Sequence, residues 1–265
     1  MQEDSLDEAG VATAWDRNAD LWAEEVRAGY DVFREHFTLP AFLAFLPEIA
    51  GREVIDLGCG EGSNTRRFAE RGARVTDIDL STGQIARARA VEEETPLGIR
   101  YEACSFSQMD RFADASFDLA LSTMALMDGP DVAGAMREVH RVLRPGGGLW
   151  FSVLHPCFNT RHSRWIPSRR TPKRARQVVG YFDRQPFVEH WHFSKRAAPS
   201  DVEDFAVPRF PRTVSDYVNA ICAAGLRIAA MEEPQPSEAA VEAHPWLGRW
   251  RRHAALVLHI AAVRG

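Results

Sequence analysis

The stretch from Glu53 to Ser81, EVIDLGCGEGSNTRRFAERGARVTDIDLS, constrains this chain more than any other. An apolar run, Val54-Ile55-Asp56-Leu57, meets a glycine cluster at Gly58, Gly60 and Gly62. A helix-like segment from Asn64 to Arg71 stops at Gly72, and a second apolar run, Arg74 to Ile78, ends at Asp79. Strand, glycine turn, helix, strand is the unit of an α/β sheet. Glycine lets the backbone turn sharply and lets a ligand approach the main chain. The N–H groups at the start of the helix point into that space. A carboxylate at the tip of the second strand accepts both hydroxyls of a ribose. The stretch is therefore built for a nucleoside-containing ligand, with Asp79 at the sugar and its neighbour Leu80 also binding the cofactor.

The glycine spacing is G-x-G-x-G, not the G-x-G-x-x-G of a dinucleotide fold. Asp56, two residues before Gly58, would repel a pyrophosphate and suits a ligand with positive charge. A glycine-rich turn alone is only a turn; Asp56 and Asp79 in register with it say more. The D-x-G-x-G-x-G stretch resembles motif I of the class I S-adenosylmethionine (SAM)-dependent methyltransferases. SAM carries a sulfonium and an ammonium, in agreement with the charge argument. Two further segments are similar to that family: Ser116-Phe117-Asp118 leading into Leu119 to Ser122, and the L-R-P-G-G run at Leu143 to Gly147 before an apolar strand, Leu149 to Leu154. The resemblance covers about residues 50–155. It implies a Rossmann-like seven-stranded sheet of order 3-2-1-4-5-7-6 with the last strand antiparallel, helices on both faces, and SAM as cofactor.

The resemblance also implies site residues. Asp56, Gly58 and Gly60 belong to the glycine motif and Asp79 to the ribose. An N-terminal [FWY]-D-x-x-A-x-x-[YW] segment, here Trp15 to Trp22, closes over SAM, with Tyr30 near the acceptor. The place where the family often holds Gly-Asp-Ala reads Cys104-Ser105-Phe106, so the acid that holds the adenine amino group is missing. Ser105 and the Phe106 backbone are left for that contact. Strand tips face the ligand crevice in such sheets, which puts Thr123, Met124 and Met127 near the reacting methyl; for a single Met, core filling is the commoner role.

The 265 residues suit one large domain with an insert. Residues 1–50 read as an N-terminal helical cap, with 1–10 frayed and the Trp15, Ala19, Trp22, Val26 stripe on a helix. Ser81 caps a helix to about Glu94, Ile99 to Cys104 is a strand, and Asp131 to Leu143 is a helix. Residues 156–212 carry the basic run Arg161, Arg164, Arg169, Arg170, Lys173, Arg174 and Arg176 and little periodicity. They read as an inserted lid over an acceptor pocket, or as a plain solvated loop. Thr213 to Gly225 is a capped helix, Leu226 to Met231 a strand, Pro234 to Arg251 a loop, and Ala254 to Val263 the final strand. The SAM-binding domain is thus 51–155 and 213–265.

Methyl transfer from a sulfonium is an in-line displacement, so catalysis is largely alignment. A base is needed only where the acceptor loses a proton. His155, at the tip of the fifth strand, is the best placed; its bland reading is a histidine bonded to its own loop. His190 and His192 share a side of an extended segment, with Glu189 nearby, but two ligands are too few to claim a metal. The aromatic and arginine content of 156–212 suits a planar or anionic small-molecule acceptor, methylated at oxygen, nitrogen or carbon. A tRNA-modifying enzyme is the alternative; the net charge of −5 disfavours nucleic acid. A SAM-binding regulatory domain without transfer is a third reading. There is no apolar run of membrane-spanning length, and the acidic start MQEDSLDEAG is no signal peptide. Four cysteines, far apart, fit reduced thiols in a cytoplasmic protein. A monomer or homodimer is expected.

Overall fold

The computed structural model describes residues 6–167, 174–195 and 204–265. Its first helix, α1 (Glu8–Arg27), is capped by the Asp7 carboxylate, which accepts the Gly10 N–H at 2.9 Å. The fraying expected of residues 1–10 is thus corrected from Asp7 onward: a cap satisfies the helix start. Residues 1–5 lie outside the described residues. A π-type turn, Arg34–Thr38, leads into α2 (Leu39–Phe45).

The glycine-turn unit forms as its pattern predicts: β1 (Glu53–Leu57), α3 (Ser63–Ala69) and β2 (Arg74–Asp79). Then come α4 (Thr82–Glu94), capped by Ser81, and β3 (Arg100–Ala103). β4 (Phe117–Thr123), α5 (Val132–Val142) and β5 (Leu143–Leu154) follow. The Arg144–Gly148 run is not a turn ahead of β5 but a bulge within it, between the pairs Phe117–Leu143 and Leu119–Gly148.

The described residues of 156–212 are more regular than their sequence suggests; Arg169, Arg170 and Lys173 of the basic run lie outside them. β6 (Arg164–Pro167) pairs antiparallel with β7 (Arg174–Gln177), and β8 (Phe187–Trp191) with β9 (Phe205–Arg209). Long cross-chain pairing, invisible to local periodicity, makes these ribbons. α6 (Val214–Ala223) starts at a Thr213–Asp216 capping box and gives way at Gly225, φ +86°, to β10 (Leu226–Glu232). The loop expected over Pro234 to Arg251 instead holds α7 (Glu238–Ala243), a 3-10 turn (Pro245–Leu247) and α8 (Gly248–His253). Ser237 caps α7, and Pro245 opens the turn, where its missing N–H costs nothing. β11 (Val257–Arg264) is the last strand.

Seven strands make one sheet in spatial order β3-β2-β1-β4-β5-β11-β10. β1 to β5 are parallel, and β11 is antiparallel to both β5 and β10. Within this sheet that is the 3-2-1-4-5-7-6 order. β1 is buried on both faces, so alternate residues feed different cores. Ile55 and Leu57 pack with Phe151, Val139 of α5 and Tyr217 of α6. Val54 packs with Leu121, Phe68 of α3 and Ile85 of α4. The β1–β2 register pairs Leu57 with Ile78, so Gly58 and Asp79 emerge side by side at the carboxyl edge. No helix among the described residues is long and apolar enough to cross a membrane.

Candidate cofactor and acceptor site

The turn after β1 is held open by backbone geometry. Gly58 has φ +77°, and a Cβ there would lie 2.3 Å from the Cβ of Ala125, so this turn presses directly on the segment after β4. Gly60, at φ +59°, has no atom within 4 Å of where its Cβ would be, and its main chain is open to a ligand. Its N–H donates to Asp79 Oδ2 at 2.9 Å, while Ser81 N–H donates to Asp79 Oδ1 at 2.8 Å. Burial pushes the Asp79 carboxyl up to about 6, against the pull of those two N–H groups.

A cavity of about 430 Å³ opens from this turn across the carboxyl edge of the sheet. Gly58, Gly60, Asp79, Leu80 and Thr123 line its sheet side, and Ser105, Phe106 and Trp22 line it as well. Met124 and Met127 reach it too; Met124 sits at φ +60°, an uncommon conformation for a side-chain-bearing residue. Asn64 lines the same wall and donates to Thr123 Oγ1 at 2.8 Å.

Three expected residues lie elsewhere. Asp56 is fully buried on the Val54 face of β1, beneath α3, and accepts the Thr65 hydroxyl at 2.7 Å. It faces Asp77 across the strand pair, and burial raises both carboxyls. Asp56 therefore shapes the turn from below and does not line the cavity. His155 is 3% exposed and off the cavity wall. Its Nδ1 accepts Cys157 N–H at 3.1 Å and its Nε2 sits 2.6 Å from Glu233 Oε1, so its own loop and β10's end occupy the ring. Tyr30 packs in the aromatic cluster of α1 and β9.

α1 closes one side of the cavity through polar anchors that its amphipathic stripe did not reveal. Asp16 Oδ1 accepts the Ser81 hydroxyl at 2.6 Å and Gly83 N–H at 2.8 Å. Glu8 accepts the hydroxyls of Ser105 (2.8 Å) and Ser107, and lines the cavity. A carboxylate thus stands at the end of β3 after all, delivered from α1. Trp22 joins Trp191, Phe193 and Phe205 with ring centroids 4.9–5.4 Å apart, fastening α1 to β8 and β9.

The far wall carries a charged group with no local signature. Arg209 on β9 is buried and pairs with Asp128, after β4, and with Glu189 on β8, 2.7 Å from its Nε. Burial pushes Asp128 up to about 6, with Arg209 pulling it down. Six carboxylates line the cavity (Glu8, Asp31, Glu61, Asp79, Asp128 and Glu189) against two arginines, Arg34 and Arg209, among the described residues. This excess of negative charge complements a sulfonium and an ammonium. The open Gly60 main chain and the half-buried Asp79 carboxylate fit a nucleoside beside them. His190 is exposed, His192 pairs with Asp204 at 3.0 Å, and Glu189 is taken by Arg209.

Known proteins match this geometry. The family described as "Methyltransferase domain" matches residues 55–151. Ubiquinone biosynthesis O-methyltransferase of Pseudomonas aeruginosa (strain UCBPP-PA14) is 34% identical over 107 residues, 40% of this chain and 46% of that protein. Malonyl-[acyl-carrier protein] O-methyltransferase of Pseudescherichia vulneris is 38% identical over 112 residues, 42% of this chain and 43% of that protein. The chain thus spans somewhat under half the length of these curated relatives. The solved structure of an S-adenosylmethionine-dependent methyltransferase from Mesorhizobium loti is similar over 85% of this chain and 96% of that one, with a TM-score of 0.70 and 33% identity. With this relative matched at 33% identity over 96% of its length, the chain belongs to the S-adenosylmethionine-dependent methyltransferases.

Proposed function

We propose that this protein transfers a methyl group from SAM to a small-molecule acceptor at oxygen, nitrogen or carbon. The observation that carries the reading is one acidic cavity that runs from the Gly60–Asp79 turn to the aromatic and charged wall of α1, β8 and β9. Bound SAM supplies an electrophilic methyl on a sulfonium. Asp79 takes the ribose hydroxyls, Gly58 and Gly60 give main-chain access, and Leu80, Phe106 and Ser105 flank the base. Glu8, fixed by Ser105 and Ser107, offers the carboxylate for the adenine amino group. Thr123, Met124 and Met127 stand toward the reacting methyl. α1 with Trp22, together with 156–212, acts as the lid that excludes water and aligns the acceptor. Where the acceptor must lose a proton, Asp128 and Glu189 are the carboxylates on its side of the cavity; His155, engaged with Cys157 and Glu233, holds its loop. The RNA-modifying and non-catalytic readings are not favoured, since the curated relatives above are named O-methyltransferases.

The test is calorimetric titration with SAM, S-adenosylhomocysteine and NAD, followed by assay of S-adenosylhomocysteine release over an acceptor panel. Binding of the first two and not of NAD, with release on at least one acceptor, is expected. NAD binding alone would overturn the reading.

A further inference from the structure

A second cavity, of about 190 Å³, abuts the first. The two share Met127, Leu154, Glu189 and Arg209 as a common wall. Their charges are opposite. The main cavity is acidic, whereas the second is lined by Arg161, Arg176, Arg209 and Arg212 against Asp183 and Glu189. Arg209 and Glu189 cancel one another by pairing. That leaves three guanidinium groups facing one carboxylate.

None of those three has a carboxylate partner among the described residues. Arg212 is fixed by the carbonyls of Leu126, Gly129 and Pro130. Arg176 donates to the Phe158 carbonyl at 2.9 Å and lies over the rings of Trp165 and Trp250, 5.5 and 5.2 Å from their centroids. Partial burial and the nearby Arg249 lower its pKa. Arg161 lies over the Phe187 ring at 4.9 Å. A planar fork held by carbonyls and rings keeps free N–H groups for an oxyanion.

We infer that the second cavity seats an oxyanion, a carboxylate or a phosphate, carried by the methyl acceptor, whose reacting atom stays in the acidic cavity. The inference rests on the methyl-transfer reading. Opposite charges in adjoining compartments orient such an acceptor in one direction only: its anionic end is repelled from the acidic cavity, where Glu8, Asp31, Glu61 and Asp79 face Arg34, and the cationic methyl donor is repelled from the arginines. The wall of Met127, Leu154 and the Arg209 pair is where the acceptor passes between them.

The experiment titrates the full chain, already saturated with S-adenosylhomocysteine, with inorganic phosphate and separately with acetate, by calorimetry. We expect one phosphate site, weakened about five-fold or more in Arg161→Gln and less in Arg161→Lys, which keeps the charge but not the fork. S-adenosylhomocysteine affinity should change by less than about two-fold in both variants, as for distant sites. Circular dichroism melts establish that each variant is folded; if Arg161→Gln is not, the Arg161→Lys comparison decides. No saturable anion binding, equal affinity in wild type and variants, or phosphate competing with S-adenosylhomocysteine would each overturn the inference. Loss of S-adenosylhomocysteine binding in the wild type would instead count against the methyl-transfer reading.

Discussion

Asp79 shows how one residue joins the turn to the cavity. Its two oxygens already accept Gly60 and Ser81 N–H groups, which aim the remaining lone pairs into the cavity. Asp79→Asn should weaken SAM binding by about 1–3 kcal/mol, the worth of charge-assisted hydrogen bonds. Because burial raises this carboxyl to about 6, wild-type affinity should also fall as pH drops below that value, and Asp79→Asn should flatten the dependence. Calorimetry at pH 5 and 7 checks both; unchanged affinity would remove Asp79 from the sugar. Gly58 is a second single-residue constraint. Gly58→Ala puts a methyl 2.3 Å from Ala125 Cβ at a φ of +77°, and should cost about 2–4 kcal/mol in urea denaturation. Ala125→Gly in the same chain should recover the steric part but not the backbone part.

At the scale of elements, the cavity is closed by pieces brought from both flanks. α1 is riveted to the start of α4 by Asp16 and to the end of β3 by Glu8, and the Trp22 cluster ties it to β8 and β9. Arg209 is the corresponding rivet between β9, β8 and the segment after β4. Arg209→Leu would leave Asp128 buried without its cation and Glu189 without its partner. It should destabilise the protein by about 3–5 kcal/mol, the range for breaking a buried pair from one side. Adding Asp128→Asn should return part of that, measured by denaturation of the single and double variants; strict additivity would deny the coupling. The helices and strands around the glycine turn were legible because caps, stops and periodicity are short-range. The ribbons β6–β7 and β8–β9 were not, because each strand is short and its partner is distant along the chain.

The whole molecule carries an unusual balance of buried acids. Asp79 and Asp128 both stand near 6 in the fold against an ordinary value of 3.8. A raised carboxyl binds its proton more tightly when folded, so its contribution is fully present below about pH 4 and is lost as pH rises through 6. His259, buried against Phe42 and Phe45 and lowered to about 4, works in the other direction over the same window. His140 and His244 are lowered too, but with Asp31, Asp56 and Asp77 also raised the acids outnumber the histidines. The protein without cofactor should therefore lose stability between pH 4.5 and 6.5, and Asp128→Asn should reduce the slope. Urea denaturation across that range is the measurement; stability that rises over the window would refute the balance.

The placing of Gly58, Gly60 and Asp79 at the carboxyl edge was legible in Glu53 to Ser81, and the order of the sheet in the family resemblance that this stretch and the later segments carry. The placing depends on alternation and turn chemistry, which act over a few residues. The acceptor wall was not legible. Glu8 meets Ser105 across 97 residues and Arg209 meets Asp128 across 81, and no local pattern marks either end. Asp56 carries the same lesson in reverse. Its spacing put it beside the ligand, but the two-residue period of β1 turns it onto the buried face, where Thr65 is its partner. Burial and long-range charge pairing, which exist only once the chain has folded, decided which polar residues face the cavity and which lie beneath it.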